Sequence, residues 1–219
     1  MIKDIFEIND LSDIEVYELD DNSKIYCKDN FYKYPHDVLN YLNSKNPPLW
    51  KIEQEGSRNT IDFEDRRHQI NHNDMVKIYL KLSDLCGQYA QHNDYTKIVT
   101  NYTRFSKNKN NNYNDNYWWP HRDVGYNGIV YLNDYDGEFC GTNLYDPNST
   151  VSNENEHSNP WVMKKNYNVV CELKSKFNRF FLFDGSKYPH SMNIVDDKWF
   201  ADHFEDAEYR INQVFFFMP

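Results

Sequence analysis

From residue 97 onward the apolar residues recur with a period of two, in short runs separated by polar turns. Segments 97–105, 128–132, 141–145, 167–173, 179–183, 190–195 and 209–217 each have the length and the Tyr, Phe, Val and Ile content of a β-strand. Strands this short bury their apolar faces only by pairing and stacking, which confines the chain to a sandwich, a barrel or a jelly roll. The composition agrees, with 18 Tyr and 14 Phe against 7 Gly.

Upstream the pattern differs. Segments 14–19 and 24–27 alternate around the turn Asp20-Asp21-Asn22-Ser23 and read as a hairpin. Pro35 opens a helix carrying Val38, Leu39 and Leu42, which Asn46-Pro47-Pro48 ends. A second helix is expected over about 71–91, where Met75, Ile78, Tyr79, Leu82, Leu85 and Cys86 fall at three- and four-residue steps. Two polar stretches, 106–116 and 147–160, have little to bury and are expected to be loops, the first exposed and mobile. The expected fold is mainly β with flanking helices, an antiparallel double-sheet jelly roll. It forms one domain over 1–219, with a helical and hairpin part at about 1–95 and a jelly-roll core at about 97–217.

Charge narrows the partners. The net charge is −10 and the pI about 5.2, and the basic run Lys107 and Lys109, in an Asn-rich stretch, is short. A duplex-binding protein usually carries a basic face, so nucleic acid is disfavoured as a partner. Cys27, Cys86, Cys140 and Cys171 are widely spaced and form no CxxC, which predicts reduced thiols. Met1 to Glu7 lacks the apolar core of a signal peptide, and no apolar run approaches the roughly 18 residues of a membrane span. A soluble, cytoplasmic protein without a membrane partner is the expectation; the sequence leaves the oligomeric state open.

The candidate chemistry lies in His121-Arg122-Asp123. A His and an Asp two apart on an extended segment project from one face, so both can bind one metal. A second His on another strand would complete a two-His-one-carboxylate site with open positions, a set typical of non-haem Fe(II) oxygenases. The chain holds two further copies, His72-Asn73-Asp74 and His92-Asn93-Asp94. The first falls in the second helix, where i and i+2 diverge, and the other in a turn at its end. Only His121-Arg122-Asp123 leads into strand, turn and strand.

With that choice made, the chain resembles the Fe(II)/2-oxoglutarate-dependent oxygenase superfamily, in particular its compact prolyl-hydroxylase-like members of phages and bacteria. The resemblance rests on His121-Arg122-Asp123, the strand Gly128-Ile129-Val130-Tyr131-Leu132, the Gly141-Thr142 strand and the distal histidine in Tyr188-Pro189-His190-Ser191, and it covers about 102–217. It implies a double-stranded β-helix holding iron between His121, Asp123 and His190. His157 and His203 compete for the distal role, but each lies in a polar or charged stretch. His190 instead follows the buried-looking run Arg179-Phe180-Phe181-Leu182-Phe183.

The resemblance also implies 2-oxoglutarate as co-substrate, with O2. Its far carboxylate needs a cation, and a planar guanidinium can bind both oxygens. In the family this residue comes from the last core strand, after the distal histidine, and Arg210 in Tyr209-Arg210-Ile211-Asn212 fits that place. Arg210 follows His190 by 20 residues, about twice the family's usual gap, so 196–208 would be looped out. A salt bridge from Arg210 to Glu205 or Glu208 is the plainer alternative. Tyr102 matches by position a tyrosine that binds the co-substrate in prolyl-hydroxylase-like members, and Arg104 and Asn143 are further pocket candidates. Nucleic-acid demethylases of the superfamily carry R-x-N-x-x-x-R; here Arg210-Ile211-Asn212 matches, but the last position is Phe216.

The expected activity is therefore a dioxygenase that hydroxylates a C–H bond of a protein side chain, prolyl among them, or of a small molecule, releasing succinate and CO2, with 106–116 as a candidate lid. The alternatives are a non-catalytic jelly-roll binding or structural domain, and a cupin-like metal enzyme that does not use 2-oxoglutarate.

Overall fold

A computed structural model describes residues 4–43, 51–52, 63–69, 72–87, 99–105, 111–135, 137–151, 161–197 and 210–217; for 42–43, 51–52, 63–69, 72–75, 99–105 and 111–112 the description covers the backbone. In chain order the elements are β1 (Glu15–Glu18), β2 (Lys24–Lys28), α1 (Pro35–Asn43), β3 (Lys51–Ile52), β4 (Phe63–Gln69), α2 (His72–Cys86), β5 (Val99–Phe105), β6 (Asn116–Trp118), β7 (Tyr126–Tyr131), β8 (Cys140–Tyr145), β9 (Trp161–Met163), β10 (Val169–Leu173), β11 (Arg179–Asp184), β12 (His190–Ile194) and β13 (Arg210–Phe217). The protein is mainly β, with antiparallel sheets and two α-helices among the described residues, and its architecture is that of a jelly roll.

Eight strands form the larger sheet in the order β1-β2-β11-β7-β13-β5-β4-β3. A three-stranded sheet, β10-β8-β12, faces it, and β6 pairs with β9 in a short ribbon. The hairpin strands β1 and β2, and β3 and β4, belong to the same sheet as β7, β11 and β13.

Side-chain alternation divides the core into two layers. Val130 and Leu132, Phe180 and Leu182, and Ile211, Phe215 and Phe217 point to the helix side, where Val38, Ile78, Tyr79 and Leu82 cover them. The intervening residues Ile129, Tyr131, Phe181 and Phe183 point to the other side and pack against Leu144 and Leu173 of the three-stranded sheet. Strands buried on both faces explain why 179–183 and 211–217 read as nearly continuous apolar runs rather than strict alternations. On β13 Arg210, Asn212, Val214 and Phe216 alternate with the helix-side residues, and Arg210 and Asn212 look into the space between the sheets.

The structure departs from the sequence expectations in four places. Strands β3 and β4 precede α2 and extend the large sheet; β4 reads Phe-Glu-Asp-Arg-Arg-His-Gln and carries no apolar alternation to announce it. The expected loop at 106–116 contains a 3-10 turn at Asn111–Asn114, and its last residue opens β6. Strand β9 had no expectation attached to it either. Helix α2 stops at Cys86 rather than continuing toward 91, because Gly87 takes a left-handed φ of 64°, a conformation glycine adopts without a Cβ penalty. Of the candidate lid 106–116, residues 106–110 lie outside the described residues, and of the insert 196–208, residues 198–208 do. None of the four cysteines is in a disulfide. Among the described residues no helix is long and apolar enough to cross a membrane.

Candidate metal centre

His121 and His190 meet across an isolated antiparallel bridge. The His121 N–H donates to the His190 carbonyl at 3.0 Å, and the His190 N–H returns the bond at 2.8 Å. Residues opposed in this way present their side chains on one face, and the two rings lie 4.6 Å apart. His190 opens β12, opposite Leu144 of β8, so the bridge adds a residue pair to the edge of the three-stranded sheet. Asp123 is anchored separately: its N–H donates to the Gly185 carbonyl at 3.1 Å, in the turn that follows β11. One ligand atom from each of His121, Asp123 and His190 lies within 4.8 Å of the others.

Hydrogen bonds fix which imidazole nitrogens face the cluster. His121 Nδ1 lies 3.2 Å from the Trp119 carbonyl and His190 Nδ1 3.1 Å from the Tyr188 carbonyl. A carbonyl only accepts, so each Nδ1 carries the hydrogen and each neutral ring keeps its lone pair on Nε2. Those Nε2 atoms face Asp123 Oδ2, at 4.0 Å for His121 and 3.3 Å for His190. Two imidazole lone pairs converging on a carboxylate are mutually repulsive unless a cation or an extra proton sits between them. The donor set of two nitrogens and one oxygen suits a divalent transition metal, iron included, and leaves further coordination positions open.

Burial pushes the Asp123 carboxyl up, but where the extra proton sits on the imidazoles, the His190 hydrogen bond and the positive fields of His121 and His190, with the Asn127 amide, outweigh burial and hold the carboxyl below its usual range. The side chains grade from 9% exposed at His190 through 28% at Asp123 to 36% at His121, so the centre opens to solvent on the His121 side. The Trp119 ring stacks on His121 at 5.2 Å, and Phe183 meets His190 edge-on at 5.1 Å. Arg122, the residue between the two ligand candidates, reaches elsewhere: its guanidinium bonds the carbonyls of Lys187, at 3.4 Å, and Pro147.

Arg210 is 4% exposed. Its Nη1 donates to Asn212 Oδ1, and its Nε is buried without a hydrogen-bond partner. Burial raises the Cys140 thiol, and Arg210 beside it pulls the other way. Burial likewise raises the Tyr131 phenol, with the Thr142 hydrogen bond and the Arg210 field opposing. Tyr131 Oη lies 2.8 Å from Thr142 Oγ1, which ties the large sheet to the small one. Among the described residues no carboxylate pairs with Arg210; Glu205 and Glu208 lie outside them.

Tyr102 sits on β5 opposite Ile211 of β13, with its side chain outside the description, as is that of Arg104. Asn143 is buried and its Oδ1 has no partner. His72 opens α2, while His92, His157 and His203 lie outside the described residues. Sequence reasoning missed Asn127, Tyr131 and Thr142. The available signal was two polar groups, Asn127 and Tyr131, flanking Ile129 on one face of the otherwise apolar strand β7.

No family model matches the sequence, and no curated protein matches it. Among solved structures the chain is similar to a crystal structure of a Pseudomonas putida prolyl-4-hydroxylase, at 11% identity over 89% of this chain and 92% of that chain, with a TM-score of 0.47. The chain's own fold and donor set define its class: an antiparallel double-sheet jelly roll with a His-Asp-His cluster at one end of the space between the sheets.

Proposed function

We propose that the chain is an Fe(II)- and 2-oxoglutarate-dependent dioxygenase that hydroxylates a C–H bond of a protein side chain, prolyl among the candidates, or of a small molecule. The observation that carries this reading is the convergence of two Nε2 lone pairs on the Asp123 carboxylate, each fixed by an Nδ1–H bond to a backbone carbonyl. His121, Asp123 and His190 would hold the metal. Bound there, iron with 2-oxoglutarate and O2 supplies the oxidising chemistry, and succinate and CO2 leave as co-products.

The protein's share is binding, orientation and exclusion of water. Arg210 provides a buried cation with an unused N–H, and Tyr131 and Thr142 provide hydroxyls beside it, which together suit a carboxylate. Cys140, beside Arg210, and Leu144, opposite His190, are four residues apart on β8, ~13 Å of strand. An arginine side chain and a five-carbon diacid laid end to end can bridge such a gap. Trp119 and Phe183 wall the two imidazoles, and the exposed side of His121 is where a substrate C–H would approach.

Anaerobic titration with Fe(II) and then 2-oxoglutarate tests the reading. A weak visible charge-transfer band that needs both components is expected, and His121→Ala or Asp123→Ala abolishes it together with succinate formation. Arg210→Met should weaken 2-oxoglutarate binding by about 100-fold or more while leaving metal binding in place, since it removes a charge-assisted pair. Metal binding without the band would point to a cupin-like enzyme, and no metal binding to a binding domain; either overturns the proposal.

A further inference from the structure

We propose that Asn127 is a positioning residue that holds the Asp123 carboxylate toward the two imidazoles and so sets the affinity of the centre for metal; this rests on reading the cluster as a metal site. Asn127 is 2% exposed and lies on β7, paired with Phe183 of β11 on one side and Phe216 of β13 on the other. Its backbone is therefore locked between two strands. Its side-chain Nδ2 donates to Asp123 Oδ2 at 2.6 Å, the same oxygen that faces His190 and His121.

The other end of the amide explains why this contact is specific. Asn127 Oδ1 is buried and has no hydrogen-bond partner. A buried carbonyl oxygen left unpaired is costly, and an apolar residue in this strand would avoid that cost. Turning the amide over would bring the oxygen against a carboxylate that can only accept, so the observed orientation is the one the site permits. The space for it is also particular: a Cβ at position 185 would fall 2.0 Å from Asn127 Oδ1. Gly185 thus contributes twice, through its carbonyl to the Asp123 N–H and through its missing side chain to Asn127. Asp123 is pinned at backbone and carboxylate by two neighbours that touch each other. Outer partners that orient ligating carboxylates typically affect metal affinity by 10–100-fold when removed.

The test is anaerobic Mn(II) and Co(II) titration of the full chain and of Asn127→Leu and Asn127→Ser, with the melting temperature of each metal-free protein measured alongside. Kd should rise about 10–100-fold in both variants at a temperature well below melting, and the visible bands of bound Co(II) should shift. A purely structural role would lower the melting temperature and leave Kd and the bands unchanged. If Asn127→Leu does not fold, Asn127→Ser carries the measurement. Wild-type-like Kd and spectrum in a folded variant would overturn the role of Asn127 alone. A wild-type chain that binds neither metal would overturn the metal reading, and this inference with it.

Discussion

Each of the two candidate ligand histidines follows a proline and turns its Nδ1 back to the carbonyl two residues earlier: Trp119-Pro120-His121 and Tyr188-Pro189-His190. The same local device on two separate segments presents two Nε2 lone pairs to one carboxylate. Individual residues elsewhere are held as tightly. A Cβ on Gly141 would lie 2.3 Å from the Leu173 carbonyl oxygen, a backbone atom of the neighbouring strand β10 that has little room to move. Gly141→Ala should therefore destabilise the fold by about 1–3 kcal/mol through overpacking, read as a lower denaturation midpoint. An unchanged midpoint would mean that β8 and β10 separate without cost. At this scale the His-x-Asp tripeptide was legible, because spacing and context are both written in the sequence. Asn127 was marked only as a polar residue on an apolar strand, because its bond to Asp123 Oδ2 and its fit against Gly185, on another strand's turn, arise only in the folded chain.

Among elements, legibility followed the apolar pattern. The hairpin β1–β2, helix α1 and the strands β7, β8, β10, β11, β12 and β13 carry their periodicity openly, and the structure places each within a few residues of expectation. Strand β4 escaped because its residues are mostly charged, and β6 and β9 because three residues are too few to show a period. What joins the hairpin to the core is an ion pair as well as a ladder. Arg179 on β11 donates through Nε and Nη2 to Asp29, just after β2, at 2.5 and 3.1 Å, and Lys176 adds a third bond at 2.6 Å. The Arg179 hydrogen bond, helped by Lys176 against burial, brings the Asp29 carboxyl down to about 2. Since that lies below the ordinary value of about 3.9, the contribution is fully present above roughly pH 4 and is lost as pH falls through 2. The carboxylate is partly exposed, so screening limits the effect to about 0.5–1 kcal/mol. Asp29→Asn should lower stability by that amount at neutral pH and flatten the stability curve between about pH 4 and 2. Parallel wild-type and variant curves across that window would rule the ion pair out as a source of acid sensitivity.

For the whole molecule, the large sheet separates two jobs. Its helix-side layer is hydrophobic mass, while the opposite side carries the inter-sheet core, the Arg210 group and, at one end, the His-Asp-His cluster. Stability and ligand binding should therefore respond independently to mutation. Leu82 is fully buried on α2 in the helix-side layer, so Leu82→Ala should cost about 2–5 kcal/mol. For a chain of this size that lowers the melting temperature by roughly 4–20 °C. A divalent metal at about 100 times its Kd adds about 2.7 kcal/mol to the folded state, and so raises the melting temperature by roughly 5–11 °C. Distant sites add independently, so Leu82→Ala should melt lower yet keep the full metal-induced rise. His190→Ala should lose the rise whatever its starting temperature. If Leu82→Ala abolished the metal effect, or His190→Ala retained it, the cluster would not be the metal site and the two faces of the sheet would not be separable.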